Sequence, residues 1–237
     1  MTLPAKKISL LFLFSMSMGL LETAVVIYLR KIYYPAGFQF PLVNMDSSLI
    51  FTEILREAAT IVMLLTISFL SGNNKSQKFS FFIFSFAVWD LSYYFFLKVL
   101  INWPESILTW DALFLIPVPW LGPVLAPCLV SVTMIIFSLK ILFLNEKGIN
   151  TKFNSMENFF LILGTFILVI SFTWNYLKFH FMSNSSISDH INIVNSSMIG
   201  EMSSYIPSEF NWSLFLLGEI VLIYAINRFV KRINSFF

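Results

Sequence analysis

Residues 49–70 read LIFTEILREAATIVMLLTISFL. A helix of about 20 apolar residues crosses the hydrocarbon core of a bilayer, and this stretch has that length. It also carries Glu53, Arg56 and Glu57. A charged side chain at the centre of a span costs roughly 2.5–3.5 kcal/mol on insertion scales, so the placement of these three decides whether the segment spans at all. At 100° per residue, Glu57 lies about 40° from Glu53, Arg56 about 60° to the other side, and Thr60 between them. One narrow polar stripe therefore carries all four, and the rest of the circumference is apolar. The segment is a span with a polar face turned toward other helices.

The rest of the chain supports this reading. Its 237 residues are 57% hydrophobic and 18% aromatic, with 28 Phe, and only 12% are charged. Soluble domains carry roughly 25% charged residues, so this chain lacks the polar surface of a globule. Further apolar stretches divide it into about six spans, at 8–29, 49–70, 79–100, 121–144, 157–178 and 210–230. The expected fold is an all-α, polytopic transmembrane helical bundle forming a single integral membrane domain over 1–237, with the lipid bilayer as its first partner. The first apolar stretch runs on to Leu29, too long for a signal-peptide core, and reads as a retained helix.

Lys6/Lys7, Lys75/Lys78, Lys147/Lys152 and Arg228/Lys231/Arg232 all fall on one side of such a bundle. The segments 101–120 and 181–209 hold no Lys or Arg but do hold Glu105, Asp111, Asp189, Glu201 and Glu209. The positive-inside rule then makes both termini cytoplasmic, in a plasma or inner membrane. Arg30 and Lys31 break the pattern by falling outside.

Between the third and fourth spans, NWPESILTWDALFLIPVPWLGPVLAP (102–127) contains Pro104, Pro117, Pro119, Pro123 and Pro127. It reads as a short external or re-entrant helix followed by a proline turn, with Trp103, Trp110 and Trp120 as interfacial anchors in the alternative. The Asn/Ser-rich loop at 180–209 includes Asn-x-Ser sequons at Asn184 and Asn195. The single cysteine, Cys128, excludes an internal disulfide and a Cys-ligated cluster. The two histidines, His180 and His190, sit in or beside the polar loop, so no haem is expected. A net charge of +2 gives no sign of a nucleic-acid partner, and no nucleotide-binding or hydrolase motif is present.

Glu22 on the first span and Asp90 on the third, with Tyr93 and Tyr94 on the same face, complete the intramembrane set. With a rise of 1.5 Å per residue, Glu57, Glu22 and Asp90 fall roughly 10–16 Å below the outer ends of their spans. Glu53 is nearer the mouth, and Asp111 approaches from the 102–120 segment. Glu22, Glu53, Glu57 and Asp90 face Arg56 alone, which leaves about three negative charges to be neutralised by protons or by a bound cation. The leading expectation is an outward-facing carboxylate cavity that binds or transports a cation, a proton or a hard divalent metal held by those four carboxylates. Arg56, Thr60, Tyr93, Tyr94 and Asp111 support it.

Two other readings stand beside it. One is a membrane-embedded enzyme acting on a lipid or apolar substrate at the outer leaflet, with Asp90 or Glu57 as general base and Arg56, Arg30 or Lys31 holding an anionic group. The other is a non-catalytic subunit or assembly factor of a larger membrane complex, in which the charges are a buried ion-pair network. Glu219, mid-span in the last helix, stands apart from the layer.

GLLETAVVIYLRK (19–31) and LREAATIVMLL (55–65) resemble the Glu-bearing helices of high-affinity iron permeases, whose motif is Arg-Glu-x-x-Glu. Here Arg56-Glu57 is followed by Thr60 where the second Glu would stand, and Met18 and Gly19 occupy the Arg-Glu position ahead of Glu22. The resemblance implies carboxylate-lined helices suited to hard cations. The two stretches also resemble one another while running in opposite senses, as inverted transporter repeats do.

The orientation is open to a direct check. With Cys128 replaced by Ser, a membrane-impermeant thiol reagent applied to sealed cells should label a cysteine at Ser106 and spare one at Asn150; the reverse pattern would invert the topology.

Overall fold

The computed structural model describes residues 3–183 and 201–234. Among these described residues, six helices are long and apolar enough to cross a membrane: α1 (Leu3–Tyr33), α2 (Ser47–Ser71), α3 (Lys75–Ile101), α4 (Leu125–Glu146), α5 (Ser155–Ser183) and α6 (Trp212–Asn234). This is an integral, multi-pass membrane architecture. The sequons at Asn184 and Asn195, with Asp189 and His190, lie outside the described residues.

The helices begin and end where local chemistry dictates. Asp46 caps α2 by accepting from the Ser48 amide and hydroxyl, and these bonds hold its carboxyl below the usual carboxylate range. The α3 cap is Asn74, which accepts the Gln77 amide at 2.9 Å. Asn154 and Glu157 form a reciprocal capping box at the start of α5, with bonds of 2.8 and 2.9 Å. At the far end of α3, Asn102 adopts a left-handed conformation (φ 54°) and stops the helix.

Side-chain contacts gather the helix ends. Lys7 donates to the Ser71 carbonyl (2.8 Å), Asn74 to Asn145 (3.0 Å), and Ser76 to the Thr151 carbonyl (2.9 Å). Arg232 spans the Lys152 carbonyl and Glu157, the latter fully buried and held at 2.6 and 2.9 Å. The start of α1 and the end of α6 therefore share one end of the bundle, the end that carries the basic loops.

The segment between α3 and α4 corrects an expectation. It is no helix but an antiparallel β-hairpin, β1 (Trp110–Phe114) with β2 (Trp120–Pro123), pairing Trp110 with Pro123 and Ala112 with Leu121. Pro117 and Pro119, two residues apart, bar a helix here, whereas strand pairing satisfies the backbone on both sides of them. The residues at 121–124, expected to open the fourth span, belong to this strand and its exit.

The hairpin descends into the bundle. Its tip residue Leu115 donates its amide to Glu57 at 2.9 Å, and Glu57 lies ten residues, about 15 Å, along α2. Phe114 packs on Phe86 and Trp89 of α3, with ring centroids 6.5 and 6.0 Å away. Irregular backbone at such depth is tolerated only when enclosed by protein, and the side chains of Asp111 and Leu121 are accordingly buried.

Arg30 fixes the hairpin from the other side. Its guanidinium lies 3.1 Å from Asp111 and packs against the rings of Trp103 (3.7 Å) and Phe38 (4.3 Å), which meet edge-to-face. Arg30, one of the two residues that broke the charge rule, is thus a buried cation that ties α1 to the hairpin.

Two sub-assemblies result. Helices α1 to α4 pack together, with Gly19 so close to α3 that a Cβ there would sit 2.7 Å from Ser92. Helices α5 and α6 form a tight antiparallel pair through reciprocal contacts, Gly164 against Leu222 and Gly218 against Leu168, where a Cβ would meet a side-chain carbon at 2.8 and 2.9 Å. Trp120 stacks on Phe172 and Phe137 packs edge-on against Phe229 to join the two parts.

Breaking a buried pair from one side costs about 3–5 kcal/mol, while replacing both partners by apolar groups is often neutral. Arg30→Met and Asp111→Leu should each destabilise the detergent-solubilised protein on that scale, and the double variant much less. Additive losses in an unfolding titration would show that the two residues act independently.

Candidate functional site

Glu22, Arg56, Glu57, Trp89, Asp90 and Tyr93 converge on a polar chamber of about 60 Å³, closed by Val26, Tyr94 and the hairpin residues Ala112 and Leu113. Each wall follows from the helical stripes. The Gly19 contact sets α1 against α3 with Glu22 one turn beyond it, and Asp90 and Tyr93, one turn apart on α3, share a face. Helix α2 brings Arg56 and Glu57. The volume suits a small cluster of waters or one small hydrated cation and nothing larger.

The charges inside are unevenly matched. Arg56 donates to Glu53 at 2.8 Å and to Glu22. Glu57 accepts the Leu115 amide, and Asp90 accepts the Ser131 hydroxyl of α4 at 2.8 Å. Among the described residues neither Glu57 nor Asp90 forms an ion pair. Asp111 is paired with Arg30 and lies 3.4 Å from the Tyr93 hydroxyl. Five carboxylates therefore meet two guanidiniums, which leaves three formal negative charges in the layer. The Trp89 indole N–H, buried at the chamber wall, has no protein partner among the described residues.

The remaining expected residues fall differently. Thr60 is buried but turns its hydroxyl back to the Arg56 carbonyl at 3.1 Å, outside the chamber lining. Glu53 is buried and serves Arg56. Tyr94 lines the wall from a buried position. Glu219 lies apart on α6, where it accepts the Thr133 hydroxyl at 2.9 Å; its other carboxylate oxygen is buried without a partner among the described residues. Among the described residues, no group of three or more His, Cys, Asp or Glu side chains is placed to hold a metal ion.

Sequence reasoning missed two hydrogen-bond partners of the chamber carboxylates and, away from the chamber, Glu157. Ser131 is one serine in an apolar span, and the Leu115 amide is backbone; neither carries a sequence signal. Glu157 was legible in retrospect, because Asn154-x-x-Glu157 is a capping-box pattern.

No family model, curated protein or solved structure matches the chain.

Glu57 separates its roles by substitution. In Glu57→Gln the amide oxygen still accepts from Leu115, so the fold should lose under about 1 kcal/mol; Glu57→Leu strands that buried N–H at a cost of about 1–3 kcal/mol. Thermal unfolding in detergent should rank wild type and Gln close together and Leu clearly below. Equal losses for Gln and Leu would mean that the charge, and not the hydrogen bond, holds the hairpin tip.

Proposed function

We propose that this membrane protein binds and releases a cation at the chamber between α1, α2 and α3, and that the cation is the proton, taken up by Glu57 and Asp90. The observation that carries the reading is the pair of carboxylates with hydrogen-bond donors but no ionic partner, facing one small polar space. A proton needs a single carboxylate, whereas a divalent metal needs several oxygen ligands at once. Glu22 and Glu53 are already engaged by Arg56, and no metal-sized ligand group forms among the described residues.

The arrangement also suggests a division of labour. Arg56 fixes Glu22 and Glu53 in ion pairs, while Glu57 and Asp90 change state, one contacting the hairpin tip and the other contacting α4 through Ser131. Proton exchange is then coupled to the two contacts that seat the hairpin and α4. With the basic end cytoplasmic, the chamber lies nearer the opposite face, beneath the hairpin.

The reading of an enzyme for apolar substrates has less support. A large apolar cleft between α3 and α5 has no Asp or Glu in its lining, so no carboxylate general acid or base faces it.

The test is proton flux in proteoliposomes carrying an internal pH-sensitive dye, under an imposed potential. Wild type should acidify or alkalinise the lumen faster than empty vesicles; Glu57→Gln and Asp90→Asn should each abolish the difference, and Thr60→Val should keep it. Flux unaffected by both carboxylate variants, or wild type indistinguishable from empty vesicles, would reject proton passage through this chamber.

A further inference from the structure

The larger cavity lies on the other side of the hairpin from the chamber. It is a cleft of about 1690 Å³, with α4 and α6 at its back and α3 and α5 as its two sides. Drug-sized ligand pockets run to about 1,000 Å³, so this one suits something larger. Along α5 it extends from Asn158 to Phe172, about 21 Å at 1.5 Å per residue, or two thirds of the roughly 30 Å hydrocarbon core. Its long wall is apolar, and several of its side chains, Ile162 and Phe166 among them, are exposed in the isolated chain at 69% and 60%.

The chemistry changes sharply at one end. At the basic end the lining becomes Asn73, Asn74, Lys75, Gln77, Lys152 and Asn158. Ser76 donates to the Thr151 carbonyl, which sets the flanking Lys75 and Lys152 on one rim. Both lysines are exposed, and neither forms an ion pair among the described residues. Of the acids at this end, Glu157 is buried and held by Arg232, Glu146 is exposed at the end of α4, and no carboxylate lines the cleft. An apolar slot with two cations and several amides at the membrane interface is complementary to one kind of molecule: an amphiphile with hydrocarbon chains and an anionic head.

We infer that the cleft holds an anionic phospholipid from the leaflet at the basic end, its phosphate at Lys75 and Lys152 and its acyl chains against α3 and α5 as far as the Trp120–Phe172 stack. The length of the slot takes chains past the membrane midplane, and its volume takes two of them, which favours a phospholipid over a single-chain isoprenoid phosphate. The lipid would fill the gap between the two sub-assemblies and hold α5 and α6 against the rest. This inference stands apart from the proton chamber, which the hairpin separates from it.

The experiment is native mass spectrometry of the full chain after exchange into mixed micelles of detergent with equimolar phosphatidylglycerol and phosphatidylcholine. Wild type should retain one phosphatidylglycerol per chain. The double variant Lys75→Gln/Lys152→Gln should lose the preference for the anionic head while still retaining lipid. Thr165→Trp, which fills the slot at mid-depth, should lose retention of both lipids; Val169→Phe, one turn further along α5, serves if that variant fails to fold. Equal retention of the two lipids by wild type, or undiminished retention by the filled variants, overturns the inference. Recovery of a polyprenyl phosphate in place of phospholipid from native membranes also overturns it, as does cross-linking of Thr165→Cys to a second polypeptide.

Discussion

A β-hairpin carries two edges, and in hydrocarbon an unpaired backbone group has no water to turn to, at a cost of several kcal/mol each. This chain places such a hairpin inside a helical membrane bundle, and much of the rest of the structure serves to make that tolerable. Arg30, packed against the rings of Trp103 and Phe38, holds β1 through Asp111. Glu57 takes the amide that the turn at Leu115 exposes. Beyond the paired strands, Val124 and Leu125 donate to the Thr109 and Ile107 carbonyls at 3.0 and 2.8 Å, closing the base. The intramembrane charges are thus answered in part by hairpin backbone and not only by one another.

The hairpin also divides the interior. On one side its residues Ala112 and Leu113 close the polar chamber; on the other, Trp120 reaches the apolar cleft and meets Phe172. One space is small, polar and ringed by carboxylates, while the other is large, apolar and basic at its rim. In the proposed reading, a change in the protonation of Glu57 would act on the amide at the hairpin tip, and the hairpin's strands line both spaces. That is a mechanical route by which the state of the chamber would reach the α5–α6 pair.

The six-span fold was legible because a membrane helix writes its length and apolarity directly into the sequence. The grouping of Glu22, Arg56, Glu57 and Asp90 was legible too: Glu57 and Arg56 share a face by helical phase, and Glu22 and Asp90 match its depth by counting residues. The hairpin was not. Strands of five and four residues are too short to display alternation, and Pro117 with Pro119 announces a turn without saying what flanks it. Arg30 signalled its burial by violating the charge rule, but its partner lies 81 positions away. The cleft left no trace, since it arises from how far α3 stands from α5, and the Gly164 and Gly218 contacts that pair α5 with α6 look like ordinary apolar sequence.

The central claim is that Glu57 and Asp90 carry exchangeable protons in the chamber beside the hairpin. Infrared difference spectroscopy of the reconstituted protein, between acid and alkaline buffer, measures this directly through the protonated-carboxyl stretch. The account predicts buried carboxyl bands that titrate, one missing in Glu57→Gln and another in Asp90→Asn. A spectrum with no titrating buried carboxyl, or one that both variants leave unchanged, would contradict it.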